Sequence, residues 1–79
     1  MTSEKDIRRV IAKFLKKPPQ IVIPEAKLRD LVIESFVLVE LVMELQEEYG
    51  IRLVQDDLRD VLLVGDLTRV VLARLQQQP

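Results

Sequence analysis

Few residues in this chain can do covalent chemistry, and the candidate among them is one serine. The 79 residues include no histidine and no cysteine, so the side chain most often used as a base near neutral pH and the thiol nucleophile are both missing. Ser35 follows a long loop and precedes a helical pattern, whereas the other serine, Ser3, lies in the terminus. From the residues alone, the favoured interpretation of Ser35 is a plain helix N-cap, a common role of serine. Because the chain has no base, thiol or metal cluster of its own, any covalent chemistry must come from an added group.

An acidic segment begins beside Ser35. Between residues 34 and 48 the sequence has five acidic and no basic residues, and the acids are Glu34, Glu40, Glu44, Glu47 and Glu48. The rest of the chain has eight acidic and twelve basic residues, so the net charge of −1 is the sum of an acidic segment and a basic remainder. Glutamates four residues apart in a helix repel by roughly 0.2–0.5 kcal/mol per pair. Such a ridge suits docking to basic partners; the alternative is a solvated edge beside a wide core face.

The same segment has more apolar residues than a small bundle can bury. We assign to the core a stripe made of Leu38, Leu41, Leu45 and Tyr49. A second stripe, on another side, consists of Phe36, Val39, Val42 and Met43. A simple surface helix has one apolar stripe, so we expect the second to be partly exposed beside the acids. The predicted docking residues are Glu34, Phe36, Val39, Glu40, Met43, Glu44 and Glu47.

The first part of the chain predicts a helix followed by a long loop. Apolar residues at helical spacing span 7–15, with a capping residue at Thr2 or Ser3, and Pro18-Pro19 prevents continuation. The apolar residues in the loop at 16–34 should lie against the core. The alternative, a short strand within that loop at Ile21–Ile23, has no partner strand elsewhere in the chain.

The remaining pattern completes an all-α fold with three main helices and one short one. A helix is predicted over Phe36–Tyr49, with Gly50 as its C-terminal cap. A short helix is predicted over about Asp56–Leu62 and a last main helix over about Asp66–Gln76. The 79 residues fit one domain, and we expect residues 76–79 to be a frayed tail.

Three segments resemble one family. Leu28-Arg29-Asp30-Leu31-Val32-Ile33-Glu34-Ser35-Phe36 resembles the lead-in to the modified serine of acyl, polyketide and peptidyl carrier proteins. Residues 39–51, Val-Glu-Leu-Val-Met-Glu-Leu-Gln-Glu-Glu-Tyr-Gly-Ile, look like the recognition helix of bacterial acyl carriers. Val64-Gly65-Asp66 resembles the turn that opens their last helix. The resemblance covers nearly the whole chain.

This resemblance implies a four-helix bundle with a long first loop and a 4′-phosphopantetheine arm on Ser35. A phosphopantetheinyl transferase would move the arm from coenzyme A, and the arm's thiol would carry acyl groups as thioesters. The other implied partners are acyl-loading, ketosynthase or further acyl-transfer enzymes with basic docking surfaces. The implied pathway is fatty-acid, specialised lipid or polyketide synthesis, and the Leu28-x-x-Leu31 lead-in looks closer to polyketide-type carriers. The alternatives are a peptidyl or aryl carrier, and an unmodified adaptor that docks through the second helix.

Several function classes are disfavoured by the residue types. The missing catalytic residue types argue against an enzyme and against a metal site. A nucleic-acid-binding domain needs a basic recognition stripe, whereas the longest predicted helix is acidic. No apolar run approaches the ~20 residues of a membrane span. We therefore expect a cytoplasmic, monomeric, non-catalytic protein.

Overall fold

Three long helices form the body of the computed structural model, which describes residues 2–77. They are α1 (Glu4–Leu15), α3 (Ser35–Tyr49) and α5 (Val64–Gln77), and α1 packs against the other two. The connections contain a 3-10 turn (Pro19–Ile21) and two four-residue helices, α2 (Leu28–Leu31) and α4 (Gln55–Leu58). The all-α prediction is confirmed, and α2 is a helical turn beyond the three main helices and one short helix that were expected.

Local signals determine where the long helices begin and end. The Ser3 hydroxyl accepts a hydrogen bond from the Asp6 N–H at 3.2 Å, and the Asp6 carboxylate accepts one from the Ser3 N–H at 3.0 Å. This capping box begins α1 and identifies Ser3, rather than Thr2, as the cap. Lys16 ends α1 in the left-handed conformation (φ 58°), and Gly50 ends α3 in the same way (φ 62°).

The core is made by one face of each long helix. Its fully buried side chains include Ile7 and Ile11 of α1, Leu41 and Leu45 of α3, and Leu67 and Val71 of α5. The long loop adds Val22 and Leu28, which are also buried, as the sequence predicted for apolar residues in this loop. Ile21 and Ile23 depart from that prediction because their side chains are exposed. The 3-10 turn takes the place of the alternative strand.

A backbone connection holds the loop before α2 against the turn before α5. The Leu28 N–H donates to the Leu62 carbonyl at 3.0 Å, and the Gly65 N–H donates to the Pro24 carbonyl at 2.9 Å. A Cβ atom on Gly65 would lie 3.1 Å from the Pro24 carbonyl oxygen, which is tighter than ordinary contact. The close approach of two backbones therefore explains the glycine in the Val64-Gly65-Asp66 turn.

The short helix before α5 ends earlier than predicted. It covers Gln55–Leu58 rather than extending to Leu62. The N–H groups of Leu62 and Leu63 donate instead to the Asp66 carboxylate, at 3.1 and 2.9 Å. Because these donors are bound to a side chain of the next helix, this segment leaves the helical conformation. Its shape is thus set by α5 rather than by its own apolar spacing.

The last helix is slightly longer than predicted at both ends. It begins at Val64 instead of Asp66 and ends at Gln77 instead of Gln76, so it includes the first two residues of the expected tail at 76–79. Residues 78 and 79 of that predicted tail lie outside the described residues. Within residues 2–77, no helix combines the length and the apolar character needed to cross a membrane.

Candidate functional site

Ser35 is the first residue of α3 and not its N-cap. Glu34 occupies the N-cap position, and no side chain makes a capping hydrogen bond to this helix start. The Ser35 residue is exposed, and its hydroxyl has no hydrogen-bond partner among the described residues. Ser35 therefore does not serve as a helix cap, which is a common role of serine. The result is a reachable hydroxyl at the positive end of a fifteen-residue helix.

An apolar cleft of about 620 Å³ opens beside Ser35. It lies between α2, the start of α3 and the segment that joins α4 to α5. Its apolar lining consists of Leu28, Val32, Ile33, Leu38, Val61, Leu62 and Leu63, and its charged lining of Lys27, Arg29 and Asp66. A volume of this size falls in the range of ligand sites. The cleft can therefore receive a chain-like group attached at Ser35.

A second cavity of about 200 Å³, called the inner cavity here, is lined in part by the buried core residues Leu28 and Leu67. It shares Leu28, Leu38 and Val61 with the first cavity. Its other lining residues are Val39, Val42, Leu58 and Leu67, so every lining side chain is apolar. The cleft and the inner cavity thus share apolar walls, and contact with these walls favours the removal of an apolar group from water.

The Asp66 carboxylate holds the outer wall of the cleft in place. Hydrogen bonds from the backbone N–H groups of Leu63 and Leu62, and then the positive charge of Arg69, hold the pKa of Asp66 below its usual range. Asp66 and Arg69 also form an ion pair. The carboxylate is therefore ionised at neutral pH, and it fixes the 62–63 segment that faces Ser35.

The side of α3 opposite the core is both apolar and acidic. At ~100° per residue, Phe36, Met43 and Glu47 point within roughly 40° of one another and away from Leu41 and Leu45. Phe36 is 59% exposed and Met43 is 53% exposed, whereas Leu41 and Leu45 are fully buried. The predicted exposure of these apolar residues is confirmed.

Most of the predicted docking residues lie on this outward side. Val39 is 59% exposed, and Glu34, Glu40 and Glu47 are also exposed, while Glu44 is half-buried. None of these acids forms an ion pair with another residue in the 2–77 range. Val42 differs from the other members of the stripe that was predicted to be exposed. It is partly buried, packs against the core and lines the inner cavity.

The exposure of two apolar residues near Ser35 was not predicted from the sequence. Ile33 is 91% exposed and Leu62 is 72% exposed, and both line the cleft. Ile33 belongs to no periodic helical stripe and Leu62 was predicted to end a short helix, so the sequence pattern did not indicate that either is exposed. Leu62 lies in a non-helical segment whose backbone is bonded to the start of α2 through the Leu28 N–H.

Comparison with known proteins agrees with this arrangement. Residues 5–71 match a family model described as a phosphopantetheine attachment site. Acyl carrier proteins from two Helicobacter pylori strains, G27 and ATCC 700392 / 26695, are each 34% identical over 67 residues, covering 84% of this chain and 86% of the relative. The acyl carrier protein of Wolinella succinogenes is 34% identical over 67 residues, covering 84% and 88%. The chain belongs to the acyl carrier protein family and carries a covalently attached 4′-phosphopantetheine as its prosthetic group.

Proposed function

We propose that Ser35 is the attachment site of the phosphopantetheine arm and that the arm carries acyl intermediates as thioesters. The observation that supports this choice is the exposed Ser35 hydroxyl, free of hydrogen bonds within residues 2–77, at an uncapped helix start. The helix end suits the phosphate electrostatically. Ser3, by contrast, already serves in the capping box of α1. Its hydroxyl accepts a hydrogen bond there and lies outside the cleft.

The attachment step is a phosphoryl transfer from coenzyme A. The Ser35 oxygen forms a bond to the phosphorus that bears the pantetheine, and the bond from that phosphorus to the pyrophosphate bridging oxygen breaks. The nucleotide part of coenzyme A leaves as the bisphosphate, and the hydroxyl proton passes to a base of the transferase or to water. This chain contributes the reachable hydroxyl and the positive helix end, while the transferase supplies the catalytic groups.

The cleft beside Ser35 favours acyl cargo over peptidyl or aryl cargo with polar groups. Its lining is apolar except for Ser35 and three charged residues, and the inner cavity is lined wholly by apolar residues. Burial of an acyl chain contributes about 0.8 kcal/mol per methylene group removed from water. The pathways that fit such cargo are fatty-acid, specialised lipid or polyketide synthesis. In each of them the chain itself is a substrate of partner enzymes and has no catalytic role.

The outward side of α3 is the proposed surface for these enzymes. Charged acids there steer a basic partner, and the apolar residues Phe36 and Met43 anchor it. Because Phe36 follows Ser35 directly, an enzyme docked on this side faces the attachment point. The proposed partners are the phosphopantetheinyl transferase and acyl-loading, ketosynthase or other acyl-transfer enzymes. The cytoplasmic location and the monomeric state remain predictions.

Mass spectrometry tests the attachment site directly. Apo protein incubated with a broad-specificity phosphopantetheinyl transferase, Mg²⁺ and coenzyme A should gain one phosphopantetheine, and peptide mapping should place it on Ser35. Ser35→Ala should remove the gain while the protein stays folded, because the hydroxyl does not cap α3. Ser3→Ala is the matched control and should be modified like the wild type. A label that maps elsewhere, or a wild type left unmodified by several transferases, would favour the unmodified-adaptor alternative.

A further inference from the structure

Two cationic residues share the Ser35 cleft and have no ionic partner. Lys27 and Arg29 both line it, and neither forms an ion pair with another residue in the described range. The third charged residue in the lining, Asp66, is already bound to two backbone N–H groups and to Arg69. The unneutralised charge in the cleft is therefore positive.

These cations are carried by an anchored segment. Lys27 is the N-cap residue of α2 and Arg29 is its second residue, on either side of the buried Leu28. The Leu28 N–H is bound to the Leu62 carbonyl, and Lys27 is bridged to Leu63. Backbone motion of the two positions is thus restricted, and only their side chains need to be ordered when an anion binds.

We propose that Lys27 and Arg29 bind the phosphodiester of the arm and direct the arm along the cleft instead of into solvent. This inference rests on the proposed attachment at Ser35. The phosphodiester brings one negative charge, and its covalent bond to Ser35 keeps it at high effective concentration beside the two cations. The guanidinium of Arg29 can bind two phosphate oxygens at once, and Lys27 adds a mobile point charge.

The positive pair also offsets an unfavourable neighbour. Glu34 lies directly before Ser35 and has no ionic partner in residues 2–77, so the new phosphate meets a like charge on that side. Attraction by Lys27 and Arg29 turns the phosphate towards α2. The pantetheine chain then begins beside Leu62 and Val61, the apolar wall that faces α2.

Thermal unfolding of apo and holo protein tests the proposal. At low ionic strength, conversion to the holo form should raise the Tm of the wild type by about 2–6 °C more than that of Lys27→Gln/Arg29→Gln, the range expected for partly exposed charge pairs in a domain of this size. At ~1 M salt the difference should largely disappear. The matched control is Arg9→Gln/Lys13→Gln on α1, which removes the same charge from exposed positions outside the cleft. It should behave like the wild type.

A measurement on the unaltered protein makes the test independent of the variants. In the wild type, the side-chain N–H resonance of Arg29 should shift on conversion to the holo form, and that of Arg9 should not. Equal Tm changes in all three proteins, together with an unmoved Arg29 resonance, would overturn the proposal even if the mass gain at Ser35 occurs. A wild type that gains no mass would overturn the attachment site, and this inference with it.

Discussion

Replacing Phe36 by alanine tests whether this residue is a docking contact or part of the core. Phe36 is 59% exposed, so only about two fifths of it is removed from water. Full burial of a phenylalanine contributes roughly 1.5–3 kcal/mol, and the partial burial here contributes about 0.6–1.2 kcal/mol. Alanine recovers up to ~0.5 kcal/mol through its higher helix propensity. We therefore expect the free energy of unfolding to fall by less than about 1 kcal/mol.

The control lies on the same helix. Leu45 is fully buried, and Leu45→Ala should lower the free energy of unfolding by about 2–5 kcal/mol because it leaves a cavity. Urea unfolding followed by circular dichroism measures both changes. The rate at which a phosphopantetheinyl transferase converts the apo protein measures docking, and Phe36→Ala should lower that rate although the protein is folded.

Two results would refute this reasoning. A loss of ~3 kcal/mol or more on Phe36→Ala would mean that the ring is part of the core. An unchanged conversion rate by the transferase and by an acyl-loading enzyme would mean that the exposed ring is not a docking contact. Either result would leave the outward side of α3 without its proposed apolar anchor.

The other predictions concern charge. Reversal of Glu40 and Glu44 to lysine should slow loading more than about five-fold at low salt, on the order of 1 kcal/mol per close contact, and added salt should reduce this effect. The control Glu25→Lys/Asp60→Lys changes the net charge equally at exposed positions outside α3. Equal loading rates for the two variants would contradict the steering role. Asp66→Asn should be less stable than the wild type at pH 7, since the folded-state pKa of Asp66 lies below its ordinary value of 3.8. That stability is present above pH 3.8 and is lost as the pH falls through the folded-state pKa, so urea unfolding should show the difference closing in acid; a constant difference would contradict it.

The long helices were predictable because their signals are local. Apolar spacing, a serine–aspartate capping box and a terminal glycine act within a few residues of one another. For α1 and α3 the predicted and observed ends therefore differ by at most a few residues. The exposed Phe36 and Met43 also followed from the pattern, because a helix with apolar residues all round cannot bury them all in a small bundle.

The short elements between the long helices depend instead on contacts with other segments. The predicted helix up to Leu62 stops at Leu58 because Asp66, in the following helix, takes the N–H groups of Leu62 and Leu63. Val42 is partly buried, although the pattern grouped it with exposed neighbours, because it packs against the core beside the inner cavity. The end of the short helix and the burial of Val42 both depend on which segment packs against them. Apolar spacing along the chain does not indicate which segment that is.

For the candidate site, the sequence alone determined a serine at the start of a helix, an acidic ridge beside it and the family resemblance. Each of these depends on residue type and on spacing along one helix. Only the tertiary structure decided that Glu34 takes the N-cap position, that Ser35 opens onto an apolar cleft and that Lys27 and Arg29 share it. The physical reason is that the cleft has walls from three segments, held together by backbone hydrogen bonds between the loop before α2 and the turn before α5. These bonds join residues 34 to 41 positions apart along the chain, and they form only when the helices pack.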